Sequence, residues 1–172
     1  MNRIRRPLRN GRLLASTFAL ALAPAAAFGV AVLSSPAPAE ADVSKAQCRV
    51  NAVLASKQGD GKIPENLQFL KKELSSDQFA AFKSFRLLDA KAYKLTANKA
   101  ASQKLKSGHK VGLKLLGGTN DRPKVHVSVN RDGNDKPLVS TDYTIKSAGF
   151  LLLAGFKHPD GKVIFAIQCK GE

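Results

Sequence analysis

From Ser84 to the C-terminus, apolar and polar residues alternate in short runs separated by turn residues, and this period of two constrains the fold more than any other feature. Candidate strands occupy residues 85–88, 92–95, 103–106, 110–116, 124–129, 139–145, 150–156 and 162–170. Ser107-Gly108 signals a two-residue hairpin, Gly117-Gly118-Thr119-Asn120-Asp121 a longer one, and Pro159-Asp160-Gly161 a turn whose glycine supplies a positive φ. Upstream, residues 47–57 also alternate, with Cys48, Val50, Ala52 and Leu54 on one side, and predict a first strand. The period changes only between that strand and Ser84. Pro64 stands where a first helical residue tolerates a missing N–H, and Leu67, Leu70 and Leu74 then recur at three and four. Ser75 with Gln78 makes a capping box for a second short helical turn, with Leu74 and Phe79 placed to staple it. The expected class is mainly β (α+β): an antiparallel β-sandwich of about nine strands, with one short helical hairpin after the first strand closing one end. A barrel is the alternative closure.

Residues 1–12 carry five Arg and no acid, and residues 13–33 carry no charge. This is the order of a secretory signal, and Ala39-Glu40-Ala41 offers a small-x-small cleavage site. The expected organisation is a cleaved signal peptide over residues 1–41 and a single sandwich domain over residues 42–172. A second cleavage site follows Ala27. The opposing reading is a membrane anchor, since residues 13–33 are long enough to span a bilayer, but Pro24, Gly29 and many Ala make a poor anchor. Arg5-Arg6 resembles a twin-arginine signal with departing flanks, so the export route stays open. Lys45-Ala46-Gln47 before Cys48 is not a lipoprotein cleavage box. The expected location is periplasmic or secreted.

The chain of 172 residues holds 28 Lys and Arg against 13 Asp and Glu, a net charge of +15. Without the five Arg and one Glu of residues 1–41, the remainder keeps 23 basic and 12 acidic residues, so the basicity belongs to the folded part. Hydrophobic content of 44% excludes wholesale disorder. Nineteen of the 23 basic residues are Lys. Nucleic-acid readers favour the planar guanidinium fork and stacking aromatics, and the chain has two Tyr and no Trp, so diffuse attraction to an anionic surface is expected instead.

Residues 67–74, the run Phe82-Lys83-Ser84-Phe85-Arg86-Leu87-Leu88, the run Lys110-Val111-Gly112-Leu113-Lys114-Leu115-Leu116 and the hairpin of residues 150–167 together resemble a group of short exported bacterial proteins with no assigned activity. In that group a strand, a helix, a Tyr-x-Ser-Tyr-Arg-Leu-Leu type of segment and a closing Gly-rich hairpin recur. The resemblance spans nearly all of residues 42–172 and implies an envelope-exposed β-sandwich. It carries over no catalytic residue, and the two cysteines lie outside its pattern.

Cys48 is in phase with Val50 and Leu54, and Cys169 with Val163, Phe165 and Ile167, so both face the core. An exported chain with two Cys is expected to join them in a disulfide, provided the first and last strands are neighbours. No Cys-x-x-Cys supports redox chemistry. His109, His126 and His158 lack metal-ligand spacing and are expected as ordinary surface histidines, and no metal or cofactor is expected. The loop from Asn130 to Asp135 lacks the ligand alternation of a calcium loop and reads as a solvated turn. Gly-x-Ser-x-Gly is absent.

The unusual feature is a basic face. With Val111, Leu113 and Leu115 inward, Lys110, Gly112 and Lys114 point outward; with Val125, Val127 and Val129 inward, Lys124, His126 and Ser128 do the same. Folding about Gly117-Gly118 brings Lys114 beside Lys124 or His126, an unfavourable arrangement explained either by an anionic partner that relieves it or by a face that is merely solvated. The sequence therefore predicts an exported, non-enzymatic envelope protein that docks on an anionic partner: another envelope protein, a polysaccharide or lipid head groups. The alternative is a secreted hydrolase.

Overall fold

In a computed structural model, which describes residues 42–172, the alternating runs form eight strands. The expected signal peptide over residues 1–41 lies outside the described residues. Strand β1 (Lys45–Ser56) is followed by a 3-10 turn (Glu65–Leu70), the four-residue helix α1 (Lys71–Leu74) and a second 3-10 turn (Asp77–Phe79). Then come β2 (Ser84–Thr96), β3 (Ala100–Leu105), β4 (His109–Gly118), β5 (Pro123–Arg131), β6 (Pro137–Thr144), β7 (Leu151–His158) and β8 (Gly161–Gly171). They build two four-stranded antiparallel sheets, β2-β1-β8-β7 and β3-β4-β5-β6, so the closure is a sandwich and not a barrel.

The count is eight because residues 85–88 and 92–95, expected as two strands, are one. Opposite β1 the register of β2 shifts between Ala52/Val53, so that Ala52 faces Asp89 and Val53 faces Leu87. The extra residue is Leu88, and such a bulge moves the phase by one without ending the strand. Leu87 therefore packs on one side of the first sheet and Leu88 on the other. The change of phase reads in sequence as a strand end.

The main core lies between the sheets. Cys48, Val50, Ala52, Tyr93, Val163, Phe165 and Ile167 of the first sheet meet Leu105, Val111, Leu113, Val125, Val127 and Val129 of the second. The Tyr93 hydroxyl crosses the gap and donates to the Val111 carbonyl at 3.0 Å. A second core lies on the outer side of the first sheet, where Val53 and Ala55 of β1 and Ile164 and Ala166 of β8 meet Leu67, Leu70, Leu74 and Phe79. The helical segment thus covers half a sheet face and does not close an end of the sandwich. Apolar residues on both sides of β1 and β8 require it there, since a strand buried on two faces needs a layer on each.

Leu67, Leu70 and Leu74 are buried as their spacing predicts. The capping box is not formed. Ser76, not Ser75, precedes the second 3-10 turn, no side chain caps it, and the Ser76 hydroxyl instead donates to the Glu73 carbonyl at 2.6 Å. Pro64 occupies the cap position one residue before the first turn, and its carbonyl accepts from the Leu67 N–H at 2.9 Å. The β3–β4 connection has three residues rather than two, with Leu105 paired to His109 and Gly108 at a φ of 74°.

Candidate functional site

Cys48 and Cys169 sit directly opposite one another on neighbouring strands β1 and β8 and form a disulfide. Their Cα atoms are 4.1 Å apart, close to the approach of a non-hydrogen-bonded antiparallel pair. Both side chains lie in the main core. Such a bond fits an oxidising compartment.

The outer face of the second sheet carries the four residues expected to form a basic face. The register opposes Lys114 to His126, so of the two neighbours considered for Lys114 it is the histidine that lies across the ladder. Lys124 follows one outward position along β5, opposite Gly117, and Lys110 lies opposite Asn130. Outward positions on one strand are about 6.6 to 6.8 Å apart, and adjacent strands about 4.8 Å.

Strands β3 and β6 complete this face with residues that the sequence reading did not place there. Lys104 stands directly across from Lys110, a like-charge pair, and is itself ion-paired to Asp132 from the β5–β6 loop. Asp142 of β6 lies opposite His126 and serves two cations: its carboxylate is 2.7 Å from His126 Nδ1 and 4.0 Å from Lys124 Nζ. His126 Nε2 is 3.1 Å from the Ser140 hydroxyl, so both ring nitrogens are engaged and the ring is oriented. Asp142 thus removes part of the repulsion that the four residues alone would create. The phase of Val139 and Tyr143, which point inward, was the available signal that Ser140 and Asp142 point out.

Between the two basic rows runs a row of short side chains, Ser102, Gly112, Ser128 and Ser140, one from each strand. A Cβ at Gly112 would collide with the Ser128 hydroxyl, so this floor accepts no larger residue without displacing its neighbour. At one end the floor widens into a groove of about 300 Å³ between the sheet and the β5–β6 loop. Asn130 ties that loop down by donating to the Asp135 carbonyl at 2.9 Å. The result is a flat, hydroxyl-floored trough with Lys104 and Lys110 along one side and Lys114 and His126 along the other.

His109 differs from the expected surface histidine: it is 2% exposed. As the first residue of β4 it shares the inward phase of Val111, Leu113 and Leu115, and its ring meets Phe156 and Phe165 edge-on. His126 is half-exposed, and His158, at the end of β7, is half-buried. Among the described residues, no three His, Cys, Asp or Glu side chains converge as metal ligands would. A groove of about 620 Å³ lies at the margin of the helical segment, and its charged groups Arg86 and Asp160 face each other at 3.6 Å.

The chain matches no family model, no curated protein and no solved structure.

Proposed function

We propose that this chain is an exported, non-catalytic binding module, periplasmic or secreted, that docks the outer face of its second sheet on an anionic partner. The observation that carries this reading is the register, which gathers Lys104, Lys110, Lys114, Lys124 and His126 around one flat row of hydroxyls. Flat, polar and positively charged surfaces recruit anionic chains or surfaces by summed potential rather than by enclosure. Fixed polar groups then set the register of the partner.

The test is retention of the purified protein on heparin, on an envelope polysaccharide and on anionic vesicles at low salt. Retention on at least one of them is expected to fall steeply as salt rises, because charges within about 10 Å share one potential at 0.1 M ionic strength. The double change Lys114→Glu with Lys124→Glu should weaken retention at least tenfold and shift stability by about 1 kcal/mol or less, since both side chains are solvent-facing. If the parent ignores all three probes, or the reversed variant is retained equally, the face serves solubility alone.

A further inference from the structure

A second cationic surface lies on the opposite side of the sandwich. The helical segment covers the outer face of the first sheet over Val53, Ala55, Ile164 and Ala166, and leaves the other half bare. Asn51 marks the boundary: it is buried and its amide reaches the Ala166 carbonyl at 3.5 Å. Beyond it, the register sets Lys94, Gln47 and Lys170 in one row across β2, β1 and β8, and Ala92, Arg49 and Gln168 in the next. A shallow groove of about 370 Å³ runs along Gln47, Arg49, Ala92, Gln168 and Lys170, directly outside the disulfide.

The charge here is less compensated than on the second sheet. Among the described residues, Lys124 and His126 share Asp142, whereas Arg49, Lys94 and Lys170 make no ion pair within 4.0 Å. The acid at the rim, Glu172, accepts a hydrogen bond from Gln47. Ala92 beside Arg49 is too short to cover the guanidinium, whose planar fork suits carboxylate, sulfate or phosphate groups.

The two surfaces point in opposite directions. Packed sheets lie about 10 Å apart and outward side chains add to each side, so the charged groups are separated by roughly 20 Å. That exceeds two Debye lengths of about 8 Å at physiological salt, and the faces act as separate sites. We propose that the domain is bivalent and bridges two segments of anionic polysaccharide, one on each sheet. This rests on the reading of the second sheet given above. Polysaccharide is favoured because both faces intersperse their cations with short hydroxyls or amides, Ser102, Ser128 and Ser140 on one and Gln47 and Gln168 on the other, which match sugar hydroxyls between charged groups. Membrane insertion is not supported: the large apolar side chains exposed among the described residues are Phe69 and Leu138, one on the helical segment and one on β6.

Bridging is read by light scattering when the purified protein is titrated into heparin or alginate at low salt. Scattering should rise and then fall with increasing protein, since excess protein occupies each chain singly. Three variants are compared after circular dichroism shows an intact fold: Arg49→Glu with Lys170→Glu, Lys114→Glu with Lys124→Glu, and all four changes. Either face variant should lose the scattering peak yet bind labelled heparin or alginate with affinity reduced at least tenfold, and the fourfold variant should bind neither. A scattering peak that survives Arg49→Glu with Lys170→Glu overturns bivalency, as does a parent that binds without scattering. A parent that binds neither polysaccharide overturns the polysaccharide bridge, and capture by phosphatidylserine vesicles in that case assigns the surface to lipid; a parent that binds neither polysaccharide nor vesicles overturns the docking reading itself.

Discussion

His109 begins β4 in phase with Val111 and Leu113, so its imidazole enters the core, 5.6 Å from the ring of Phe156 and 5.5 Å from that of Phe165. Its Nδ1 is 2.9 Å from the Ser107 carbonyl, which only accepts, so the ring hydrogen belongs on Nδ1. Nε2 is then a buried acceptor with no partner, and protonating it would put a charge inside the sandwich. Burial above all, with Arg131 and His158 nearby, holds the imidazole below its ordinary value of 6.5, although the Ser107 carbonyl acts the other way. The unfolded chain takes up this proton near 6.5 and the folded one only at lower pH, so the unfolded state binds more protons in that window. Stability from this group is therefore complete above about pH 6.5 and is lost as the pH falls toward the folded value. Urea midpoints at about pH 7.5 and about pH 5 should drop more for the parent than for His109→Leu; an equal drop would assign the acid sensitivity to other groups. Tyr93 is the complementary case. Burial pushes its phenol up to about 12, so it stays protonated and keeps donating to Val111 across the sheets. Tyr93→Phe should cost about 0.5 to 1.5 kcal/mol in a thermal or urea midpoint.

At the scale of elements, the helical segment stands or falls with its three leucines. Leu70 is fully buried against the outer side of the first sheet, and Leu70→Ala should cost about 2 to 5 kcal/mol, depending on how far the cover collapses onto Val53 and Ile164. Ser75→Ala should be close to neutral, while Ser76→Ala should lose about 0.5 to 1.5 kcal/mol with the bond to Glu73. Paired denaturation curves separate the two positions. The same contrast explains what could be read in the sequence. Strands β4 and β5 bury one face each, so their period of two is clean and the outward set Lys110, Lys114, Lys124 and His126 follows from it. In β8 the run from Val163 to Ile167 is buried without interruption because the sheet has a layer on both sides, and period two carries no information there. His109, expected at the surface, lies one step of two before Val111, Leu113 and Leu115, and that inward phase was the signal for its burial. Gly112 and Ser128 share the outward phase of β4 and β5, but Asp142, Lys104 and the alignment of Ser102 and Ser140 with them could not be read, because which residue stands opposite which depends on strand order and register, which are set by contacts distant in sequence. Arg49, Lys94 and Lys170 come together only because β1 lies between β2 and β8.

For the whole molecule, the disulfide closes a loop spanning 121 positions and joins the first strand to the last. In the chain-entropy model a loop of that length contributes about 4 to 5 kcal/mol, so Cys48→Ala with Cys169→Ala, or a reductant, should lower the urea midpoint by a corresponding amount. Stability unchanged by reduction would mean that the unfolded chain is already held compact. The placement of the bond also decides how the domain answers a pulling force. β1 and β8 are antiparallel, with Ala46 paired to Gly171 and the Glu172 N–H bonded to the Lys45 carbonyl at 2.9 Å, so tension on the two ends of the domain would act in peeling geometry, one hydrogen bond at a time. Peeling stops at the Cys48–Cys169 pair, only a few residues in. Behind it the remaining strands carry no load. In a force spectrometer the oxidised domain should show no unfolding step, and the reduced one should release roughly 400 Å of chain at 3.3 to 3.6 Å per residue for the segment that the bond had shielded.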